Sequence, residues 1–149
     1  MLIPLYKPAL SSSEKKNVMK CLDDNWISSK GEFIKKFETN FKKKFNYKFA
    51  TVTTNGTTAL HLALLALNIK RYDEVIVPNL TYVAPVNAVK YTGAKPVLTD
   101  VNSKTWLMDT DSIINKINNK TKAIILVHLY GSSYNLHKIK KIKKKYNIK

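Results

Sequence analysis

The amino-acid sequence predicts an α/β fold, in which βαβ units build a largely parallel sheet. Short apolar runs at residues 74–78, 96–100 and 123–127 have the length and composition of buried strands. Apolar residues at helical spacing lie between these runs. Strands that alternate with helices form parallel sheets, because each helix returns the chain to the edge where the previous strand began.

The N-terminal third predicts two helices joined by a loop. The prolines of residues 3–8 predict an extended lead-in. Ser11 and Glu14 have the spacing of a capping box, which predicts a helix to about residue 22. Trp26, in the loop at residues 25–31, is either a packing anchor or part of a ligand wall. A second helix then carries an aromatic stripe that we expect to be core: Phe33, Phe37, Phe41 and Phe45.

Residues 53–60 lie between an apolar run at residues 49–52 and an apolar helical pattern. This order predicts a strand, a tight turn and a helix. Gly56 permits an unusual backbone, and Thr57 and Thr58 place hydroxyls beside the unpaired N–H groups of the first helical turn. Such a helix start binds anions readily. The alternative is an ordinary turn in which threonines cap the helix.

The remaining elements follow from capping and breaking residues. Pro85 is expected in the first turn of a helix at residues 81–89, which ends at Gly93. Asp109 is expected to cap a further helix. A last, very basic helix has one apolar face, formed by Leu136, Ile139, Ile142 and Tyr146.

Several candidate site residues follow the predicted strands. Open parallel sheets bind ligands at the carboxyl ends of their strands. We therefore expect a pocket that holds an anion at Gly56, a planar group against Tyr82, and polar partners near His128 and Tyr130. No second metal ligand or nucleophile stands at a suitable spacing from His128, so its pattern favours a non-catalytic histidine and predicts no metal site.

Composition excludes several classes of function. The 149 residues are 44% hydrophobic, which suits one globular domain. Cys21 is the only cysteine, so an internal disulfide and a cysteine metal cluster are excluded. No apolar run approaches the roughly 20 residues that span a bilayer, and no signal-peptide pattern is present, which predicts a cytoplasmic protein without a membrane partner. The dinucleotide and nucleoside-triphosphate glycine motifs are both absent.

The formal net charge of +16 invites a nucleic-acid interpretation. Arg71 is the sole arginine, although arginine makes the commonest specific base contacts, and the lysines are spread among Asn and Ile. This pattern argues against nucleic acid as a partner and favours a general compositional bias.

Seven segments occur in the order and spacing of a known family. They are residues 4–8, 26–31, 55–60, 73–78, 81–84, 93–97 and 128–131. On these segments the chain resembles the DegT-type nucleotide-sugar aminotransferases, and among them the perosamine-synthase-like members.

The resemblance implies the N-terminal part of a fold-type-I large domain that uses pyridoxal 5'-phosphate. The implied reaction moves an amino group from glutamate to a keto carbon of a nucleotide-diphosphate-linked deoxysugar, for polysaccharide or related sugar synthesis. It also implies a homodimer. The implied site residues are Gly56, Thr57 and Thr58 at the cofactor phosphate, Tyr82 on the pyridine ring, and Tyr6, Trp26, Ile27, Ser28 and Ser29 at the nucleotide-sugar.

The resemblance further implies one incomplete domain over residues 1–149, with helices and a substrate loop at 1–48 and the βαβ region at 49–149. The family's aldimine lysine and its ring-pairing aspartate match positions past Lys149. We therefore expect no catalytic residue among these residues and weak cofactor binding by them alone. The alternatives are the dehydratase branch, in which histidine replaces that lysine, a non-catalytic remnant that binds a relative or a nucleotide-sugar, and a basic nucleic-acid-binding module.

Overall fold

Two units make up the chain in the computed structural model, which describes Pro4 and residues 7–149. The first unit is Met1–Val52 and the second is Thr53–Lys149. Three residues of the predicted lead-in, Ile3, Leu5 and Tyr6, lie outside the described residues. The single incomplete domain with a division after residue 48 stays a prediction.

The first unit contains the two predicted helices, α1 (Ser12–Asp23) and α2 (Glu32–Phe45). The predicted capping box is present: Ser11 accepts a hydrogen bond from a first-turn N–H, and the Glu14 carboxylate accepts one from the Ser11 N–H at 2.6 Å. Lys20 in the last turn of α1 pairs with Asp24 at 2.6 Å and with Glu32 at 3.0 Å. These carboxylates raise the pKa of Lys20 and connect the two helices electrostatically.

The aromatic stripe of α2 is not core, contrary to the sequence expectation. Phe37, Phe41 and Phe45 are 56%, 38% and 50% exposed. Their rings pack on one another instead, at centroid distances of 5.8 Å for the first pair and 4.6 Å for the second. The physical reason is that two helices alone enclose no interior, and the described part of this unit contains no third element to cover the stripe.

The second unit is a three-stranded sheet with helices on both faces, and its strands are parallel as predicted. The strands are β1 (Glu74–Pro78), β2 (Lys95–Thr99) and β3 (Thr121–Ile124), in the spatial order β2-β1-β3. Glu74 pairs with Lys95 on one side and with Thr121 on the other, so the three strands begin at one edge. The helices are α3 (Gly56–Ala66), α4 (Ala84–Tyr91), α5 (Thr110–Lys116) and α6 (Leu136–Tyr146), with a short 3₁₀ turn at Leu129–Gly131.

The core lies on both sides of β1, all of whose residues are buried. Successive side chains of a strand point to opposite faces. Val75 and Val77 accordingly pack with Leu64, Ile69 and Val89 beneath α3 and α4. Ile76 packs on the other face in a cluster that α5 and α6 complete: Leu107, Met108, Ile113, Tyr134, Ile142 and Ile148.

One strand prediction was wrong, and another was wrong only in its bounds. Residues 49–52 form no strand: they belong to the first unit, whose described residues contain helices and no sheet with which they could pair. The run at residues 123–127 leaves the ladder after Ile124, although the Ile125 N–H still donates to the Ile76 carbonyl at 2.9 Å. The neighbouring strand ends there at Pro78, which has no N–H to continue the pairing.

The described part of the chain contains no helix with the length and apolar character needed to cross a membrane.

Candidate functional site

The carboxyl edge of the sheet is the candidate site, because the parallel strands all end there. Helix α3 runs from this edge towards the opposite one: it ends at Ala66, and a short connection through the buried Ile69 leads directly to the start of β1. An 11-residue helix is about 16 Å long, which matches a five-residue strand. The start of α3 at Gly56 therefore lies at the carboxyl edge.

Asn55 is the N-cap of α3, with extended backbone angles. Its side-chain oxygen accepts a hydrogen bond from the Thr58 N–H at 3.0 Å, while the Thr58 hydroxyl lies 2.8 Å from the Asn55 carbonyl, to which it donates. The N-cap is therefore Asn55, and Thr58 completes a capping box in which its hydroxyl also accepts the Asn55 N–H at 3.3 Å. The preference of Asn for N-cap positions was the sequence signal that would have identified it.

Two amides at this helix start have no protein acceptor among the described residues. They are the N–H groups of Gly56 and Thr57, whereas those of Thr58 and Ala59 both donate to Asn55. A side chain at Gly56 would meet no atom within 4 Å, so the space in front of these amides is open. Unpaired N–H groups that face open space fit an anion, and the helix dipole adds to the attraction.

Tyr82 lies between β1 and α4, in the turn that leaves the carboxyl edge. The predicted helix at residues 81–89 begins only at Ala84, with Pro85 in its first turn as predicted. Tyr82 is consequently outside the helix and its side chain is 78% exposed. An exposed aromatic ring at this edge offers a flat apolar surface to a planar ligand.

His128 and Tyr130 follow β3 at the same edge, and both are exposed. The His128 ring packs edge-on against Tyr134 at 5.6 Å, and its Nδ1 accepts the Tyr134 N–H at 3.4 Å. Tyr130 has a left-handed backbone, with φ of 48°, and packs against Trp106 at 6.1 Å. These contacts give His128 a structural partner.

Tyr134 is a buried residue that sequence reasoning missed. Its hydroxyl accepts a hydrogen bond from the Met108 N–H at 3.0 Å, which connects the loop after β2 to the loop after β3. Burial raises the pKa of this hydroxyl, so it remains a neutral hydrogen-bonding group. A single tyrosine in an irregular segment has no periodic pattern that marks it as core.

The loop of candidate substrate residues belongs to the first unit. Trp26 and Ser28 line a cavity of about 190 Å³ together with Cys21 and Phe33. The Trp26 N–H donates to the Cys21 carbonyl at 2.8 Å, which holds the loop against the end of α1. Ile27 is 78% exposed and Ser29 is also exposed.

The structure thus places Gly56, Thr57, Thr58 and Tyr82 in the second unit, at one edge of one sheet. The loop of residues 26–29 is a separate feature of the first unit. Tyr6 lies outside the described residues.

Comparison with known proteins gives a consistent result. The model of the DegT/DnrJ/EryC1/StrS aminotransferase family matches residues 8–149. The chain is 53% identical, over 98% of its length, to GDP-perosamine synthase of Escherichia coli O157:H7, and it covers 40% of that relative. The chain therefore spans about two fifths of the length of the curated relatives that it matches.

Solved structures agree with this match. An aminotransferase from Psychrobacter cryohalolentis superposes with a TM-score of 0.87 at 35% identity, over 95% of this chain and 36% of that one. GDP-4-keto-6-deoxy-D-mannose-3-dehydratase of E. coli, solved with bound hydrated PLP, superposes with a TM-score of 0.85 at 30% identity. It is matched over 97% of this chain and 39% of that one.

Proposed function

The chain belongs to the DegT/DnrJ/EryC1/StrS aminotransferase family, and from that premise we propose that the protein transfers an amino group to a nucleotide-linked sugar with the help of pyridoxal 5'-phosphate. The observation that carries this proposal is the start of α3, where the Gly56 and Thr57 amides face open space at the carboxyl edge. This arrangement fits the phosphate group of that cofactor.

Each residue at the helix start has a distinct role in the proposed site. Gly56 and Thr57 donate their backbone N–H groups to the phosphate. Thr58 has committed both its N–H and its hydroxyl to Asn55, so it holds the turn in the shape that presents the other two amides. When bound, the cofactor supplies an electron sink for amino-group transfer.

Tyr82 is the proposed stacking partner of the pyridine ring. Its exposure leaves one aromatic face free for a planar group. Such a stack is worth about 0.5–1.5 kcal/mol, and a phosphate at a helix start is worth up to about 2 kcal/mol. The sum is below the roughly 4 kcal/mol of millimolar affinity, even before the cost of association. We therefore expect these 149 residues to bind the cofactor weakly. We assign the lysine that bonds covalently to the cofactor to none of the lysines in this chain.

The proposed substrates are glutamate as amino donor and a keto-deoxy sugar linked to a nucleoside diphosphate. The similarity to a GDP-perosamine synthase supports GDP as the nucleotide. Tyr6 and the loop of Trp26, Ile27, Ser28 and Ser29 are proposed to line the nucleotide-sugar site, where the half-exposed Trp26 ring offers a stacking surface. The working form is proposed to be a cytoplasmic homodimer.

A dehydratase is the second candidate, and the similarity to the E. coli 3-dehydratase favours it. Both reactions would use the same phosphate-binding amides, those of Gly56 and Thr57, and the same aromatic ring, that of Tyr82. They differ in product, because an aminotransferase places nitrogen on the sugar and a dehydratase removes water.

The test is incubation of the protein, purified from its source, with pyridoxal 5'-phosphate, ¹⁵N-glutamate and a GDP-linked keto-deoxy sugar. We expect ¹⁵N in the sugar product by mass spectrometry. Loss of water without nitrogen transfer would favour the dehydratase, and no reaction in either sense would contradict the proposal. The 149 residues by themselves are expected to be inactive, and time-dependent amino transfer by them would refute that expectation.

A further inference from the structure

A concave site lies at the amino edge of the sheet, opposite the carboxyl edge where the cofactor is proposed to bind. A cavity of about 320 Å³ opens there, where β1 and β2 begin. Its lining comes from three parts of the chain: Arg71, Tyr72 and Glu74 before and at the start of β1, Lys90 and residues 93–96 before and at the start of β2, and Lys120. The strands separate this cavity from the start of α3 by about 16 Å. No step of the proposed reaction uses it.

The cavity is strongly cationic. Its lining includes the four basic residues Arg71, Lys90, Lys95 and Lys120, and one carboxylate, that of Glu74. This carboxylate is already neutralised within the protein, since it accepts a hydrogen bond from the Asn118 amide at 2.7 Å and pairs with Lys95 at 3.2 Å. Four cations and one carboxylate give the cavity wall a net charge of +3, and the single carboxylate interacts with both Lys95 and Lys120.

The Arg71 side chain lies beside the Tyr72 ring and Gly93. Arg71 is the only arginine among 26 basic residues, and its guanidinium lies 5.0 Å from the centroid of the Tyr72 ring. Gly93 has a φ of +79°, and a side chain there would lie 3.5 Å from the Arg71 Cβ. Tyr72 has a left-handed backbone, with φ of 74°, although its side chain is 74% exposed. A strained backbone that positions a planar cation is typical of binding sites.

The shape of the site selects the class of ligand. A volume of about 320 Å³ lies at the small end of the range for small-molecule pockets. A nucleic acid instead requires an extended basic face that follows its backbone. A guanidinium fork with nearby ammonium groups matches the geometry of phosphate oxygens.

We propose that this amino-edge cavity binds a small molecule through a phosphate or diphosphate group, with Arg71 as the central ligand and Lys90 and Lys120 as flanking charges. The site is independent of the proposed cofactor site.

The test is a titration of the ¹⁵N-labelled protein with inorganic pyrophosphate at about 0.1 M salt, where long-range attraction between exposed charges is largely screened. We expect saturable shifts of the Gly93 and Tyr72 amides. Arg71→Gln should weaken binding about tenfold, because it removes charge-assisted hydrogen bonds. Arg71→Lys, which keeps the charge and loses the fork, should have an intermediate effect.

Lys143→Gln is the matched control, because it removes the same charge from the exposed basic face of α6. Its affinity for pyrophosphate should equal that of the unmodified protein. Equal weakening by Arg71→Gln and Lys143→Gln would overturn the proposal in favour of diffuse attraction. Amide shifts confined to Gly56 and Thr57, or shifts that do not saturate, would also overturn the proposal. So would displacement of pyrophosphate by duplex DNA, if Lys143→Gln made the DNA a weaker competitor.

Discussion

The substitution Gly56→Ala should weaken cofactor binding without weakening the fold. The residue begins α3, its φ lies outside the left-handed region, and an added Cβ would meet no atom within 4 Å. The substitution is therefore sterically free, and it lowers the conformational entropy of the unfolded chain. We expect the free energy of unfolding to rise by about 0.4–1 kcal/mol.

The same methyl group should impair anion binding. Each Cα–Cβ bond of a helix tilts towards its N-terminus, so the alanine methyl at this first position points to the side from which the phosphate approaches. The interaction at risk is the whole helix-start contribution, up to about 2 kcal/mol. Loss of about 1–2 kcal/mol corresponds to about a 5- to 30-fold weaker affinity.

The assay is a ¹⁵N chemical-shift titration with pyridoxamine 5'-phosphate, read at the Thr57 and Thr58 amides. This probe has no aldehyde, so it cannot react with the many lysines of the chain. Urea unfolding without ligand measures stability in parallel. Gly31→Ala is the control for affinity, because it adds the same methyl group at the N-cap of α2, in the first unit, without a clash and should leave the affinity unchanged. Unaltered affinity in Gly56→Ala, or an equal loss of affinity in both variants, would refute the proposal that the Gly56 and Thr57 amides bind the phosphate.

Three further predictions concern stability, measured by urea unfolding. Glu74→Gln should cost about 1–3 kcal/mol at neutral pH, because an amide has one oxygen where the buried carboxylate has two and cannot keep both the pair with Lys95 and the bond from Asn118. The bond from Asn118 lowers the pKa of Glu74 below its ordinary 4.5. The stability that the carboxylate contributes is therefore complete above pH 4.5 and is lost as the pH falls through the pKa of the folded state. This pH dependence should be absent in the variant. Tyr72→Gly should change stability by less than about 1 kcal/mol, because relief of its left-handed backbone is offset by the loss of the ring's contact with the Arg71 guanidinium; a larger change would contradict this. Tyr134→Phe should cost about 1–3 kcal/mol by leaving the Met108 N–H without its acceptor, and an unchanged unfolding midpoint would argue against that bond.

Local chemistry predicted much of the second unit. The β-branched run that Pro78 ends was predicted at residues 74–78 and forms β1 with those bounds. Asp109 was predicted as a cap and accepts two N–H bonds at the start of α5. Proline, glycine and capping residues act on neighbours within a few positions, so their effect is legible without knowledge of the fold.

The candidate site was predictable in part for the same reason. The position of Gly56 between an apolar run and a helical pattern indicated a helix start, and the parallel sheet class placed that start at the carboxyl edge with Tyr82. The assignment of the cap to Asn55, and hence of the free amides to Gly56 and Thr57, needed the hydrogen bonds. Several side chains in this segment are able to cap, and only coordinates distinguish the one that does.

Sequence patterns alone were sufficient to predict the α/β class, the order of helices and strands in the second unit, and the turns at which the candidate ligand-binding residues fall. The three-dimensional packing was needed to show that residues 49–52 form no strand, that Phe37, Phe41 and Phe45 stay exposed, and that Arg71 lies beside Gly93 at a cationic cavity. This difference follows from the distance along the chain over which each interaction acts. Periodicity and capping are local, whereas strand pairing, burial and charge clustering depend on which distant segments become neighbours.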